Sequence, residues 1–219
     1  LTCIVGLLDG GNVYIGGDSA GVGGYQLSVR ADQKVFRNGP FLMGFTSSFR
    51  MGQLLRYKFN PPEHPCLTGT GERMGIYKYM VTYFVDAVRQ CLKDGGFATK
   101  KDEEESGGSF LVGYNGRLFE IEDDYQVAEQ VAKYHAVGCG AQIALGSLYS
   151  TEGQPPEDRV RLALEAAERF IAGVRGPFVI NKLGGEANAS KTRKTQDIMA
   201  LEWAKVRELQ IVDPLYPKY

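Results

Sequence analysis

Leu1-Thr2-Cys3-Ile4-Val5-Gly6, Ile15-Gly16-Gly17-Asp18-Ser19, Ala31-Asp32-Gln33-Lys34-Val35 and Gly44-Phe45-Thr46-Ser47-Ser48 are the four runs on which the reading of this chain turns. Residues 3–8 are apolar and β-favouring, Asp9-Gly10-Gly11-Asn12 is a hairpin signal, and residues 13–17 resume the extended run. Residues 33–36, Asn38-Gly39 and residues 41–45 spell a second hairpin. A hydroxyl, Thr2, thus stands at the mouth of one strand, an acid, Asp18, closes the next, and a lysine, Lys34, opens a third. A threonine hydroxyl is a poor nucleophile until a base takes its proton. An N-terminal amine, with a pKa of about 7.7–8.0, can be that base.

The rest of the composition narrows the field. A chain of 219 residues with 43% hydrophobic content can bury a sizeable core, and one large domain is the expectation. With 25 basic and 26 acidic residues it lacks the bulk charge of a nucleic-acid binder. Cys3, Cys66, Cys91 and Cys139 form no CxxC pair, and His64 and His135 are the only histidines, so zinc-ligand spacing is missing. No cofactor or metal is expected. No signal peptide or long apolar run stands out, so a cytoplasmic location and no membrane span are expected. Gly16, Gly17, Gly21, Gly23 and Gly24 suggest close backbone approach and a mobile loop. A phosphate loop is disfavoured there, because no helix-forming run and no Lys-Ser/Thr pair follow.

Beyond residue 48, Met51, Leu54, Leu55 and Phe59 keep helical spacing, with Ser47 or Ser48 as N-cap. Tyr77, Met80, Val81, Phe84, Val88, Cys91 and Leu92 mark a long helix. Residues 99–108, carrying a run of acids, read as a solvated tip. Residues 109–121 form a hairpin around Asn115-Gly116. Short strands are expected at 125–128 and 134–137, then a helix after Gly138-Cys139-Gly140. The clearest helix spans 157–174, followed by a strand over 178–183. From residue 184 the chain changes character, and we read 184–219 as an extension on the surface or against a neighbouring subunit, outside a domain of residues 1–183.

In this order the elements give an α+β chain: a four-layer αββα sandwich of two antiparallel sheets flanked by helices. The chain resembles the proteasome β-subunit family, including the bacterial HslV protease, over roughly residues 2–183. The resemblance rests on Thr2-Cys3-Ile4-Val5-Gly6, Gly17-Asp18-Ser19, Lys34-Val35, Gly44-Phe45-Thr46-Ser47-Ser48 and Gly138-Cys139-Gly140, with Thr2, Asp18 and Lys34 in the family's register without a gap. It implies an N-terminal-nucleophile (Ntn) hydrolase, a threonine-type peptidase. Thr2 would be the nucleophile and its amine the base. Lys34 would be the cation beside the hydroxyl, and Asp18 the acid that holds Lys34. The backbone N–H of Ser47 would be the oxyanion donor. Ser19 and Cys139 join the candidate set by position. The resemblance further implies a peptide or protein substrate, a homo-oligomeric ring and an ATPase partner, with apolar faces near Leu54 and Tyr77 used between subunits.

The chain also departs from the family. Ser47 stands where the family has Gly, and Cys139 where it commonly has Ser. Residues 173–178 lack the Asp and Ser that the family places before the last strand. Leu1 acylates the Thr2 nitrogen, which then has no basicity. Leu1 reads as a substituted start residue, as a leader remnant removed by attack of Thr2 Oγ on the Leu1 carbonyl, or as a true block. The first is favoured over autoprocessing, because one residue is a very short leader. Two rival functions stand beside the peptidase: a non-proteolytic amidase or acyl-transferase, and a catalytically silent structural subunit. Cys3 lies one residue off register on the opposite strand face, and we expect it in the core with Cys66 and Cys91. His64 and His135 are read as structural, and the tyrosines from Tyr77 to Tyr114 as packing.

Overall fold

The computed structural model describes residues 1–66, 74–101 and 104–184. The expected extension therefore lies, from residue 185 on, outside the described residues. The chain opens with β1 (Cys3–Asp9) and β2 (Asn12–Gly17), joined through Gly10 and Gly11, whose φ of 54° and 80° is the left-handed pair a two-residue turn requires. The glycine-rich stretch that follows is not the irregular loop its composition suggests. It folds as a hairpin of β3 (Ala20–Gly23) and β4 (Gln26–Val29), because its glycines alternate with strand formers and turn at Gly24. Then come β5 (Val35–Asn38) and β6 (Phe41–Phe45), and α1 (Phe49–Tyr57), whose first turn is capped by the Ser48 hydroxyl accepting from the Arg50 N–H.

The long helix expected around Tyr77 is α2 (Ile76–Tyr79), a π-turn over Met80–Phe84, and α3 (Val85–Asp94), running on without a break. The stretch read as a solvated tip contains a short ribbon, β7 (Thr99–Lys101) with β8 (Glu104–Ser106). Glu105 on it pairs with Arg89 of α3, so part of the acid run is tied down. The chain continues through β9 (Phe110–Tyr114), β10 (Arg117–Ile121), β11 (Val127–Ala128), β12 (Tyr134–Gly138), α4 (Ala141–Ser150), α5 (Pro156–Phe170) and β13 (Val179–Leu183). Helix α5 stops at Phe170, four residues short of the apolar pattern, and Val174 is buried from a turn instead.

Among the described residues every strand pairing is antiparallel, with two main sheets ordered β12-β1-β2-β13 and β11-β10-β9-β6-β5. Strand alternation sorts the side chains into three cores. On β1, Cys3, Val5 and Leu7 pack against Leu148 of α4 and Val160, Ala163 and Leu164 of α5. Ile4 points the other way and meets Val13, Ile15, Val35, Leu42 and Leu111 between the sheets. On β6, Phe41, Met43 and Phe45 face α1, the π-turn and α3 through Met51, Leu54, Phe84 and Val88. Helices thus cover both outer faces of a two-sheet sandwich, the αββα architecture of the Ntn hydrolases. The apolar residues expected between subunits, Leu54, Leu55, Phe59 and Val88, are used in this chain's own core. Tyr57, Tyr77 and Tyr83 stay exposed on those helices, while Tyr79 and Tyr114 are buried, so the tyrosine series is only partly packing. Cys3 is buried, but Cys66 is exposed and Cys91 only half-buried, which corrects the core assignment of those two.

Candidate active site

The candidate residues gather at one end of the two sheets because each sits where a strand begins or stops. Thr2 directly precedes β1, and Asp18 directly follows β2, its neighbour in the same sheet. Lys34 precedes β5, Ser47 lies two residues past β6, and Cys139 follows β12. The pairing of Cys3 with Gly138 and of Ile4 with Gly17 brings three of these ends together. Gly138 is required at its position: its φ is 96°, and a Cβ there would run into the Thr2 carbonyl.

Lys34 Nζ donates to Thr2 Oγ1 at 2.6 Å and to Asp18 Oδ1 at 2.9 Å. Thr2, Asp18 and Lys34 are each 5% exposed or less. Asp18 is anchored by the backbone as well. Its Oδ1 accepts from the Cys3 N–H at 3.0 Å, and its Oδ2 from the Ala20 N–H at 2.9 Å and the Arg175 N–H at 3.4 Å. A buried ion pair is tolerable when its remaining lone pairs are satisfied in this way. Burial pushes the Lys34 amine below its ordinary range, and Asp18 works against that shift by charge and by hydrogen bond.

The Thr2 nitrogen donates to Cys139 Sγ at 3.3 Å, and the thiol donates back to the Thr2 carbonyl at 3.4 Å. In the chain as it stands, that nitrogen is the amide of Leu1. Thr2 Oγ1 donates to the Leu1 carbonyl at 2.5 Å. Cys3 is no rival nucleophile: burial, then the Asp18 charge, push its thiol up to about 12.

Ser47 has φ 59°, the left-handed region, so a serine here adopts the backbone that glycine would take freely. Its hydroxyl accepts from the Ser109 N–H at 3.1 Å. The structure does not bring the Ser19 hydroxyl to Thr2. It donates to the Pro177 carbonyl at 2.6 Å.

That last contact belongs to a support the sequence concealed. Residues 175–177 reach the site through backbone atoms: besides Arg175 N–H on Asp18, the Arg175 carbonyl accepts from the Ser19 N–H at 2.7 Å. Glu168 near the end of α5 steadies this turn, accepting from the Gly176 N–H at 2.9 Å. Main-chain contacts leave no residue signature, so the missing Asp and Ser gave no hint that this segment still serves the site. The histidines are structural, as expected: His64 bridges Tyr114 Oη and the Met74 carbonyl, and His135 pairs with Glu120. Among the described residues no His, Cys, Asp and Glu gather as a metal-ligand group, and no helix is long and apolar enough to cross a membrane.

No protein-family model matches this chain, and no curated protein matches it in sequence. Solved structures do match, and they share the two-sheet αββα fold of this chain. Thiobacillus denitrificans BPH in complex with epoxomicin has a TM-score of 0.65 at 18% identity, over 83% of this chain and 98% of that one. BPH from the same organism, in a structure titled without the compound, gives 0.65 at 19%, over 83% and 97%. The eukaryotic HslV of Trypanosoma brucei gives 0.59 at 17%, over 84% and 99%. At such identities the likeness establishes the fold.

Proposed function

We propose that this chain is a threonine-type amide hydrolase, a proteasome-like peptidase, with Thr2 as nucleophile. The observation that carries the reading is the buried ammonium of Lys34, 2.6 Å from Thr2 Oγ1 and held by Asp18. Once the Thr2 amine is free, it takes the Oγ1 proton while Oγ1 attacks the substrate carbonyl. The Lys34 charge stabilises the oxygen as it loses that proton. The Ser47 N–H receives the carbonyl oxygen as it becomes an oxyanion. The ammonium of Thr2 then protonates the leaving amine, and water, activated by the same amine, releases the acyl group from Oγ1. Cys139 keeps the nitrogen placed through its thiol.

The test is covalent labelling by an electrophile directed at N-terminal threonines, on a chain whose Thr2 amine is free. Wild type is expected to gain one adduct and Thr2→Ala none. Equal labelling of both would remove Thr2 from its role. Epoxomicin, present in one of the similar structures, is the first compound to test for binding. Peptide libraries set against small acyl-amides separate the peptidase from an amidase or acyl-transferase. Lack of both labelling and turnover with a verified free amine would favour the silent subunit.

The pH profile gives an independent check. Lys34 acts while charged, and burial lowers the pH at which it loses its proton. The alkaline limb of kcat should therefore fall below the ordinary lysine range of about 10.4, and the acid limb should follow deprotonation of the Thr2 amine, which the Lys34 charge favours. An alkaline limb at or above the free-lysine range would separate Lys34 from catalysis.

The proposal extends to a cytoplasmic homo-oligomeric ring with an ATPase partner, supported by the HslV-like fold and the exposed Tyr57, Tyr77 and Tyr83. Sedimentation at high concentration is expected to show an oligomer, and a persistent monomer would overturn this part.

A further inference from the structure

We propose that the groove walled by Arg30 and Phe49, beside the Thr2 centre, receives an acidic side chain of the substrate, and that Arg30 sets this preference. The inference rests on the peptidase reading above. The groove encloses about 550 Å³ and is lined by Gly21, Val22, Leu27, Arg30 and Phe49 among others. Arg30 is the only charged residue among its described lining. The Phe49 ring links it to the Thr2 centre: the ring centroid lies 3.8 Å from the Arg30 guanidinium carbon and 5.6 Å from Lys34 Nζ.

The guanidinium is held by two neighbours. Its Nε and one Nη donate to the two Asp32 oxygens at 2.7 and 2.6 Å, and its face rests on Phe49. Its stem crosses Gly21, where a Cβ would stand 2.7 Å from Arg30 Cδ. The second Nη is left to donate to a ligand. A fixed, planar donor edge beside apolar Leu27 and Phe49 suits a short aliphatic stem ending in a carboxylate, and it repels lysine or arginine side chains. Asp32 offsets this cation in part, and Arg56 acts on the same carboxylate. The two sides of this balance make opposite predictions. Removing Arg30 removes the preference for acid, and neutralising Asp32 strengthens it.

The experiment measures binding, so that it does not depend on turnover. Short alanine-based peptide amides, with one Glu walked through successive positions and each paired with its Gln isostere, are titrated against Thr2→Ala. At one position Glu should bind about threefold or more better than Gln. Arg30→Met and Arg30→Gln on the same background should bring that ratio to one or below, and Asp32→Asn should raise it. The ratio should shrink with added salt. A ratio indifferent to both substitutions, a preference for Lys or Leu at every position, or no detectable binding of any Glu peptide would overturn the inference. Cleavage by the chain with a free Thr2 amine separates the two claims. Turnover without an Arg30-dependent ratio sinks the acidic groove alone. An Arg30-dependent ratio without turnover sinks the peptidase alone.

Discussion

A chain that begins at Thr2 is expected to hydrolyse peptide amides about 10²- to 10⁴-fold faster than the same chain carrying Leu1, the range that a well-placed general base contributes. With Leu1 in place the Thr2 nitrogen is an amide and accepts no proton. The Thr2 hydroxyl meanwhile donates its proton to the Leu1 carbonyl, 2.5 Å away. Gly173 packs against the Leu1 side chain, so the extra residue has a seat in the structure, although it is 62% exposed. Removing it leaves Asp18, Lys34 and Cys139 on their own anchors, because none of the hydrogen bonds of Asp18 or Lys34 runs to Leu1. Both species can be prepared by placing a cleavable leader before residue 1 or residue 2, with the terminus verified by intact mass and N-terminal sequencing. Robust, Thr2-dependent hydrolysis by a uniformly Leu1-bearing chain would refute the amine as base.

The largest structural loss is expected from Asp18→Ala. The ammonium of Lys34, 2.9 Å away and essentially unexposed, would lose its counter-ion, and the N–H groups of Cys3, Ala20 and Arg175 would lose their acceptor. Breaking a buried pair from one side costs about 3–5 kcal/mol. For a chain of this size that is a fall in Tm of roughly 10 °C. Without Asp18 to hold it charged, Lys34 would also release its proton at lower pH than in wild type. Pairing the change with Lys34→Met tests the cause: stability should partly return, since no lone charge is left buried, while activity should stay absent. Thermal unfolding and turnover of wild type, both single variants and the double variant complete the cycle. Unchanged Tm in Asp18→Ala would show that the pair contributes nothing to the fold.

Much of the architecture was legible because it is written in side chains. Alternation in residues 3–8 and 41–45 and the Gly10-Gly11, Asn38-Gly39 and Asn115-Gly116 turns are local signals. The turns take the positive φ that such residues supply, 48° at Asn115 and 75° at Gly116. The set of Thr2, Asp18 and Lys34 was legible through the resemblance to the proteasome β-subunit family; hairpin pairing of β1 with β2 makes neighbours of Thr2 and Asp18, whereas Lys34 opens β5 in the other sheet and arrives by packing of the two sheets. What escaped reading is carried by the main chain or by distant partners. The hairpin at Ala20–Val29 hid behind its glycines. The turn at Arg175–Pro177 works through amides and carbonyls that any residue owns. Arg30 carries no signal of its own in the sequence, because Phe49 and Asp32, which hold it, come from a helix and a loop.

The strand order β12-β1-β2-β13 has a temporal meaning. Strand β1 sits inside its sheet, between its hairpin partner β2 and β12, which is made more than a hundred residues later. Thr2 meets Cys139 across 137 positions, and Ser19 meets Pro177 across 158. Contacts of such separation close slowly and late, because loop entropy is lost before they form. Under the proposed mechanism, a nascent or half-folded chain would hold Thr2 without Cys139 beside it, and hydrolytic competence would arrive only with completion of the sandwich.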